Sequence, residues 1–141
     1  MQPGGHMELF PWKDEYSVNI AEIDQQHKKL VELINELHRG VTGGQSKHEL
    51  QKIFAGLLDY MLRHFETEEG LMALYAFPGF EEHRKEHEEF RKKIVGFLDA
   101  FLDAQTDVAM DMVQYLVKWL RDHVFVTDKK YSVFLNERGV S

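Results

Sequence analysis

Apolar residues recur at alternating three- and four-residue intervals along most of the chain, the spacing of a helix with one inward-facing stripe. Between Phe80 and Leu102 the stripe is Phe80, His83, His87, Phe90, Ile94, Phe97 and Phe101. From Ala21 to Arg39 it is Ile23, His27, Leu30, Ile34 and Leu37. Lys47 to Leu74 carries Leu50, Ile53, Leu57, Met61, His64, Glu68 and Leu71, and Val108 to Val126 carries Met112, Leu116, Trp119 and His123. Turn-forming residues cluster between these segments, at Gly40 to Ser46, Phe77-Pro78-Gly79 and Asp103 to Asp107, and the prolines lie outside all four. Ser46 with Glu49 forms a capping box opening the second segment, and Thr106 or Asp107 is placed to cap the fourth. Four amphipathic helices with short connections predict an all-α fold, an up-down-up-down antiparallel four-helix bundle, preceded by an N-terminal arm containing Phe10-Pro11-Trp12.

Six stripe positions are not apolar. They hold His27, His64, Glu68, His83, His87 and His123, and Asp128 follows five residues after the last. In an antiparallel bundle the start of the first helix, the end of the second, the start of the third and the end of the fourth meet at one end. At about 1.5 Å rise per residue, these seven side chains fall in one slab on the order of 10 Å thick. Singly, each has an ordinary reading as a satisfied core histidine or a solvated carboxylate. Together, buried in one layer, they would leave several unpaired polar groups unless cations neutralise them. The pairs His64/Glu68 and His83/His87 are spaced i, i+4, so each projects from one helix face toward a shared metal centre. Imidazole with carboxylate suits iron, zinc, copper or nickel over magnesium or calcium. Seven ligands exceed the needs of one ion; two six-coordinate ions bridged by both carboxylates and one oxygen leave a single position open.

Composition narrows the chemistry. The chain has 141 residues, no cysteine and eight histidines, which excludes disulfide scaffolds, cysteine-ligated clusters and thiol nucleophiles. A net charge of −7 without a Lys/Arg-rich run argues against nucleic acid and acidic membranes as partners. No window resembles a spanning helix or a signal peptide, so a cytoplasmic location is expected. Residues 1–7, including His6, read as an extraneous leader with a natural start at Met7, and residues 8–141 as one domain. His38 and His48 fall at the bundle end opposite the histidine layer and read as surface residues. Glu69, Glu86, Glu88 and Glu89 read as solvated, with room for one of them to hydrogen-bond a ligand imidazole.

The ordered set His27, His64-x3-Glu68, His83-x3-His87, His123-x4-Asp128 resembles the ligand pattern of the hemerythrin family, in its single-domain bacteriohemerythrin form. The similarity runs from Trp12 and Ile23-Asp24-Gln25-Gln26-His27 through Trp119-Leu120-Arg121-Asp122-His123 to Asp128-Lys129-Lys130-Tyr131. The resemblance implies two iron ions, with His83, His87 and His123 on one and His27 and His64 on the other. Glu68 and Asp128 bridge them beside an oxo or hydroxo group. It implies reversible dioxygen binding at an open position on the two-histidine iron, for storage, delivery or sensing, with azide-like anions or nitric oxide as further ligands. It also implies a dry pocket walled by Leu30, Phe65, Trp119, Leu120 and Val124, the last replacing the isoleucine common in the family. The rival readings are a di-iron enzyme acting on peroxide, nitric oxide or ferrous iron, and a sensory module of a larger receptor. A ferritin-like carboxylate site and a zinc protease are disfavoured, since neither Glu-x-x-His nor His-Glu-x-x-His occurs.

Overall fold

A computed structural model describes residues 11–103 and 107–141. The expected leader, Phe10 of the arm, and the caps expected from Thr106 or Asp107 concern positions outside the described residues or side chains. Helices α1 (Ala21–Thr42), α2 (Lys47–Leu74), α3 (Phe80–Asp103) and α4 (Asp107–Trp119) are followed without a break by a π-helical stretch, Leu120–Thr127, and by α5 (Asp128–Asn136). The fourth bundle helix is therefore longer than its apolar stripe indicates, running on ten residues beyond Val126. Helix α1 packs chiefly against α2 and α4, and α3 against α4 and α2, so sequence neighbours are spatial neighbours and the fourth helix closes on the first.

Local chemistry sets the helix ends. Ser46 accepts the Glu49 N–H at 3.2 Å, as an N-cap serine should. Gly40 is not a turn residue: it is buried inside α1, where a Cβ would come within 3.1 Å of Leu50 Cδ2. Helix α2 ends in a Schellman arrangement, with Phe77 N–H donating to Met72 C=O at 2.9 Å and Ala76 N–H to Ala73 C=O at 3.2 Å. The left-handed position this motif requires is occupied by Ala76, at φ 53°, rather than by a glycine. Pro78 then prevents the helix from resuming.

The core has two parts. The larger contains Leu30, Ile34, Phe54, Met61, Phe65, Phe90, Leu116, Leu120 and Val124; the smaller contains Val18, Ile20, Ile23, Met72, Tyr131 and Leu135. The histidine layer lies between them along α1, α2 and the fourth helix: His27 lies between Ile23 and Leu30, His64 and Glu68 between Met61 and Met72, and His123 and Asp128 between Leu120 and Tyr131. The site is thus an interior layer rather than an open end. Its lid comes from the arm and α5. Asp24 in the first turn of α1 accepts from the Ser17 hydroxyl at 2.5 Å and the Val18 N–H at 2.8 Å, which holds Val18 and Ile20 inward. Lys129 and Asn136 of α5 donate to the carbonyls of Glu15 and Asn19.

Because an alanine in the left-handed region carries a steric penalty that glycine escapes, Ala76→Gly is expected to stabilise the protein by about 1 kcal/mol. Chemical denaturation at fixed metal content should show a higher midpoint with an unchanged slope.

Candidate metal centre

All seven predicted ligands are buried: His27, Glu68, His87 and Asp128 are fully inaccessible, and His64, His83 and His123 nearly so. They form two sets whose donor atoms lie within 4.8 Å of one another, Glu68 with His83, His87 and His123, and Glu68 with His27, His64 and Asp128. Both carboxylates face both sets. Asp128 Oδ1 stands 2.9 Å from His83 Nε2 and 3.2 Å from His123 Nε2, while its Oδ2 stands 3.3 Å from His27 Nε2. Glu68 Oε1 lies 3.1 Å from His64 Nε2 and 3.4 Å from His87 Nε2. The Nε2 atoms of His27 and His64 are 3.1 Å apart.

The π-helical stretch makes this convergence possible. On a regular α-helix, residues five apart point about 140° from each other, so His123 and Asp128 could not share a centre. Here the Asp128 N–H bonds to the His123 carbonyl, an i to i+5 closure that brings the fifth residue onto the same face.

Among the described residues, seven buried side-chain nitrogen and oxygen atoms have no hydrogen-bond partner, and every one belongs to this layer: His27 Nδ1, Glu68 Oε1, the Nε2 atoms of His83, His87 and His123, and both oxygens of Asp128. A buried unsatisfied polar atom costs about 1–3 kcal/mol, so this number would cancel most of the 5–15 kcal/mol that holds a typical domain folded. Six of the seven face the shared interior, and borderline-soft cations bound by nitrogen and oxygen are the partners that fit such a donor set.

Around the layer stands a ring of polar groups. His64 Nδ1 donates to Gln26 Oε1 at 2.6 Å, His87 Nδ1 to Glu69 Oε2 at 2.7 Å, and His123 Nδ1 to Glu86 Oε1 at 2.9 Å. Of the four glutamates expected in solvent, two therefore back imidazoles of the layer, whereas Glu88 pairs with Arg91 at 3.1 Å and Glu89 is exposed. Tyr131, fully buried, donates to Glu68 Oε2 at 2.6 Å. Sequence reading gave no role to Gln26 or Tyr131. The available signals were position alone: Gln26 precedes His27, and Tyr131 stands one helical turn past Asp128.

Of the residues expected to wall a pocket, four are inaccessible to solvent. Leu30, Phe65, Leu120 and Val124 are fully buried, and Phe65 stacks on His87 with centroids 3.8 Å apart. Trp119 differs. It stacks on His123 at 4.3 Å but is only half-buried, its outer side lining a surface groove of about 390 Å³ with Tyr115, Lys93 and Lys118. His38 is half-buried and His48 exposed, far along α1 and at the start of α2, apart from the layer.

Charge within the layer is mutually sustained. Burial alone would raise the Glu68 pKa, but His64 and His87 hold it well below the ordinary carboxylate value. Burial opposes charging of His123, yet the Asp128 and Glu86 carboxylates outweigh it and push its pKa up to about 10.

These features define a metal-binding four-helix bundle. The model of the hemerythrin HHE cation-binding domain matches residues 18–135, and the chain belongs to the hemerythrin family. It is 31% identical to a bacteriohemerythrin of Stenotrophomonas maltophilia over 126 residues, covering 89% of this chain and 81% of that protein. A bacteriohemerythrin of Clostridium acetobutylicum is 30% identical over 127 residues, covering 87% and 98%. The crystal structure of a wild-type hemerythrin superposes with a TM-score of 0.78 at 26% identity, over 88% of this chain and 95% of that one.

Chelator-treated protein should show the His123 effect directly. Folding favours the charged imidazolium, so its stabilisation is complete below the ordinary value of 6.5 and is lost as pH rises through about 10. Denaturation midpoints of metal-free protein are expected to fall across that window, and a His123→Gln variant should lack this decline.

Proposed function

We propose that the protein binds dioxygen reversibly at a pair of iron ions held in the buried layer. The observation that carries this reading is the set of orphaned donor atoms converging from four helices. In this reading His83, His87 and His123 hold one ion, His27 and His64 hold the other, and Glu68 and Asp128 stand between them. The assignment is supported by the two carboxylates each facing both histidine groups. An iron pair supplies reversible two-electron transfer to dioxygen.

The chain supplies the rest. Outward hydrogen bonds to Gln26, Glu69 and Glu86 fix which ring nitrogen of His64, His87 and His123 carries its proton, leaving Nε2 free to ligate. Tyr131 orients Glu68. Leu30, Phe65, Leu120 and Val124 are fully buried and would keep bulk water away from the centre, which reversible binding demands. No helix among the described residues is long and apolar enough to cross a membrane.

Two measurements test the reading. Metal analysis of iron-loaded protein should give two ions per chain, and His123→Ala should lose iron while the helical content is kept; one ion per chain in the parent protein would overturn the assignment. Separately, anaerobically reduced protein exposed to oxygen and then to vacuum should gain and lose a visible charge-transfer band over repeated cycles. Irreversible oxidation, or steady consumption of added peroxide or nitric oxide, would instead favour a di-iron enzyme.

A further inference from the structure

Three ligand imidazoles donate outward, and their acceptors differ in charge. His87 and His123 donate to the carboxylates of Glu69 and Glu86. His64 donates to an amide. The orientation of that amide follows from its neighbours: the Thr67 hydroxyl donates to the Arg63 carbonyl at 3.2 Å, so its oxygen is left to accept from Gln26 Nε2, also at 3.2 Å. Gln26 therefore presents its oxygen to His64 and brings no net charge. His27 Nδ1, on the same side, has no partner. Two carboxylates accept from the three-histidine group, and none accepts from the rings of the two-histidine group.

An imidazole that donates to a carboxylate becomes a more basic ligand and favours the higher oxidation state of its metal. The fixed negative charge acts in the same sense through space, because adding an electron beside it is unfavourable. Both carboxylates are partly sheltered, their side chains 21% and 39% exposed for Glu69 and Glu86, so solvent does not fully screen them.

We propose that Glu69 and Glu86 make the metal pair electronically unequal, so that the ion on His83, His87 and His123 is the harder to reduce and the ion on His27 and His64 accepts an electron first. This rests on the two-iron reading above. Given an external one-electron reductant, the iron-loaded oxidised protein would take up two electrons in order, one per ion, with any proton needed by a bridging oxygen drawn from solvent. The first electron goes to the side that lacks carboxylate support.

A mediated redox titration of the iron-loaded full chain with dithionite tests this. The odd-electron intermediate level is followed by electron paramagnetic resonance, and Mössbauer spectra count the ferric and ferrous ions. Two resolved steps are expected. Glu69→Gln with Glu86→Gln keeps an acceptor oxygen in place and removes the charge. It should make the second reduction at least about tenfold more favourable, about 59 mV for one electron, and move the first step by less than half as much. Gln26→Glu should act on the other ion, making the first reduction less favourable and leaving the second nearly unchanged. Steps that move together in these variants, or do not move while iron content is kept, would overturn the proposal. Where the glutamate variants lose iron, the Gln26→Glu result decides it. Fewer than two ions in the unaltered protein would defeat the two-iron reading itself, whereas two ions with coincident potentials would defeat only the inequality.

Discussion

The structure depends on one constraint, that five imidazoles and two carboxylates lie buried in a single layer between two apolar clusters. Within that layer the groups satisfy each other incompletely, because imidazole lone pairs and carboxylate oxygens are mostly acceptors and too few protons are available. Bound cations would resolve the shortage, and the convergence that lets several donors meet one ion constrains the helix register. Each helix must bring its polar residues to one height while its apolar stripe continues above and below. Apolar clusters on both sides bury the layer between them.

The bent register of the fourth helix follows from the same demand. His123 must face the layer together with Asp128, and the five-residue offset is irreconcilable with a regular α-helix. A wider turn resolves the conflict, with the His123 carbonyl accepting from the Asp128 N–H. Two further turns of regular helix then carry Tyr131 and Leu135 into the smaller cluster. Tyr131 joins the two requirements. Its ring packs among apolar residues while its hydroxyl reaches back to Glu68, so covering the layer and orienting a carboxylate within it are done by one side chain.

Much of this arrangement is legible in the sequence, for a specific reason. Histidine at a leucine position breaks an otherwise regular pattern, so His27, His64, His83, His87 and His123 announce both the helical face and the chemistry placed on it. Ser46 is legible too, since an N-cap acts on the nearest turn. What escapes depends on geometry that residue type does not encode. The left-handed residue after α2 is Ala76 although Gly79 stands three positions on, because the Schellman bonds fix the site by distance from the helix end. Likewise, four glutamates flank the ligands with equal chemical claims, and helix rotation alone turns Glu69 and Glu86 toward His87 and His123 while Glu88 meets Arg91.

The location of those outer glutamates is itself dictated by burial. A carboxylate placed inside the layer would add to the groups that need a cation, whereas one stranded in either apolar cluster would be an unpaired charge. At the boundary, Glu69 and Glu86 gain one strong hydrogen bond from an imidazole and keep part of their hydration. Hydrogen bonding to His123 accordingly holds the Glu86 carboxyl below its ordinary pKa despite partial burial. Gln26 occupies the corresponding place beside His64, and its amide is locked by Thr67, so that boundary is polar without being charged. A layer that looks nearly symmetric in its histidines and carboxylates is thereby asymmetric in its surroundings, and the asymmetry lies in residues outside the layer.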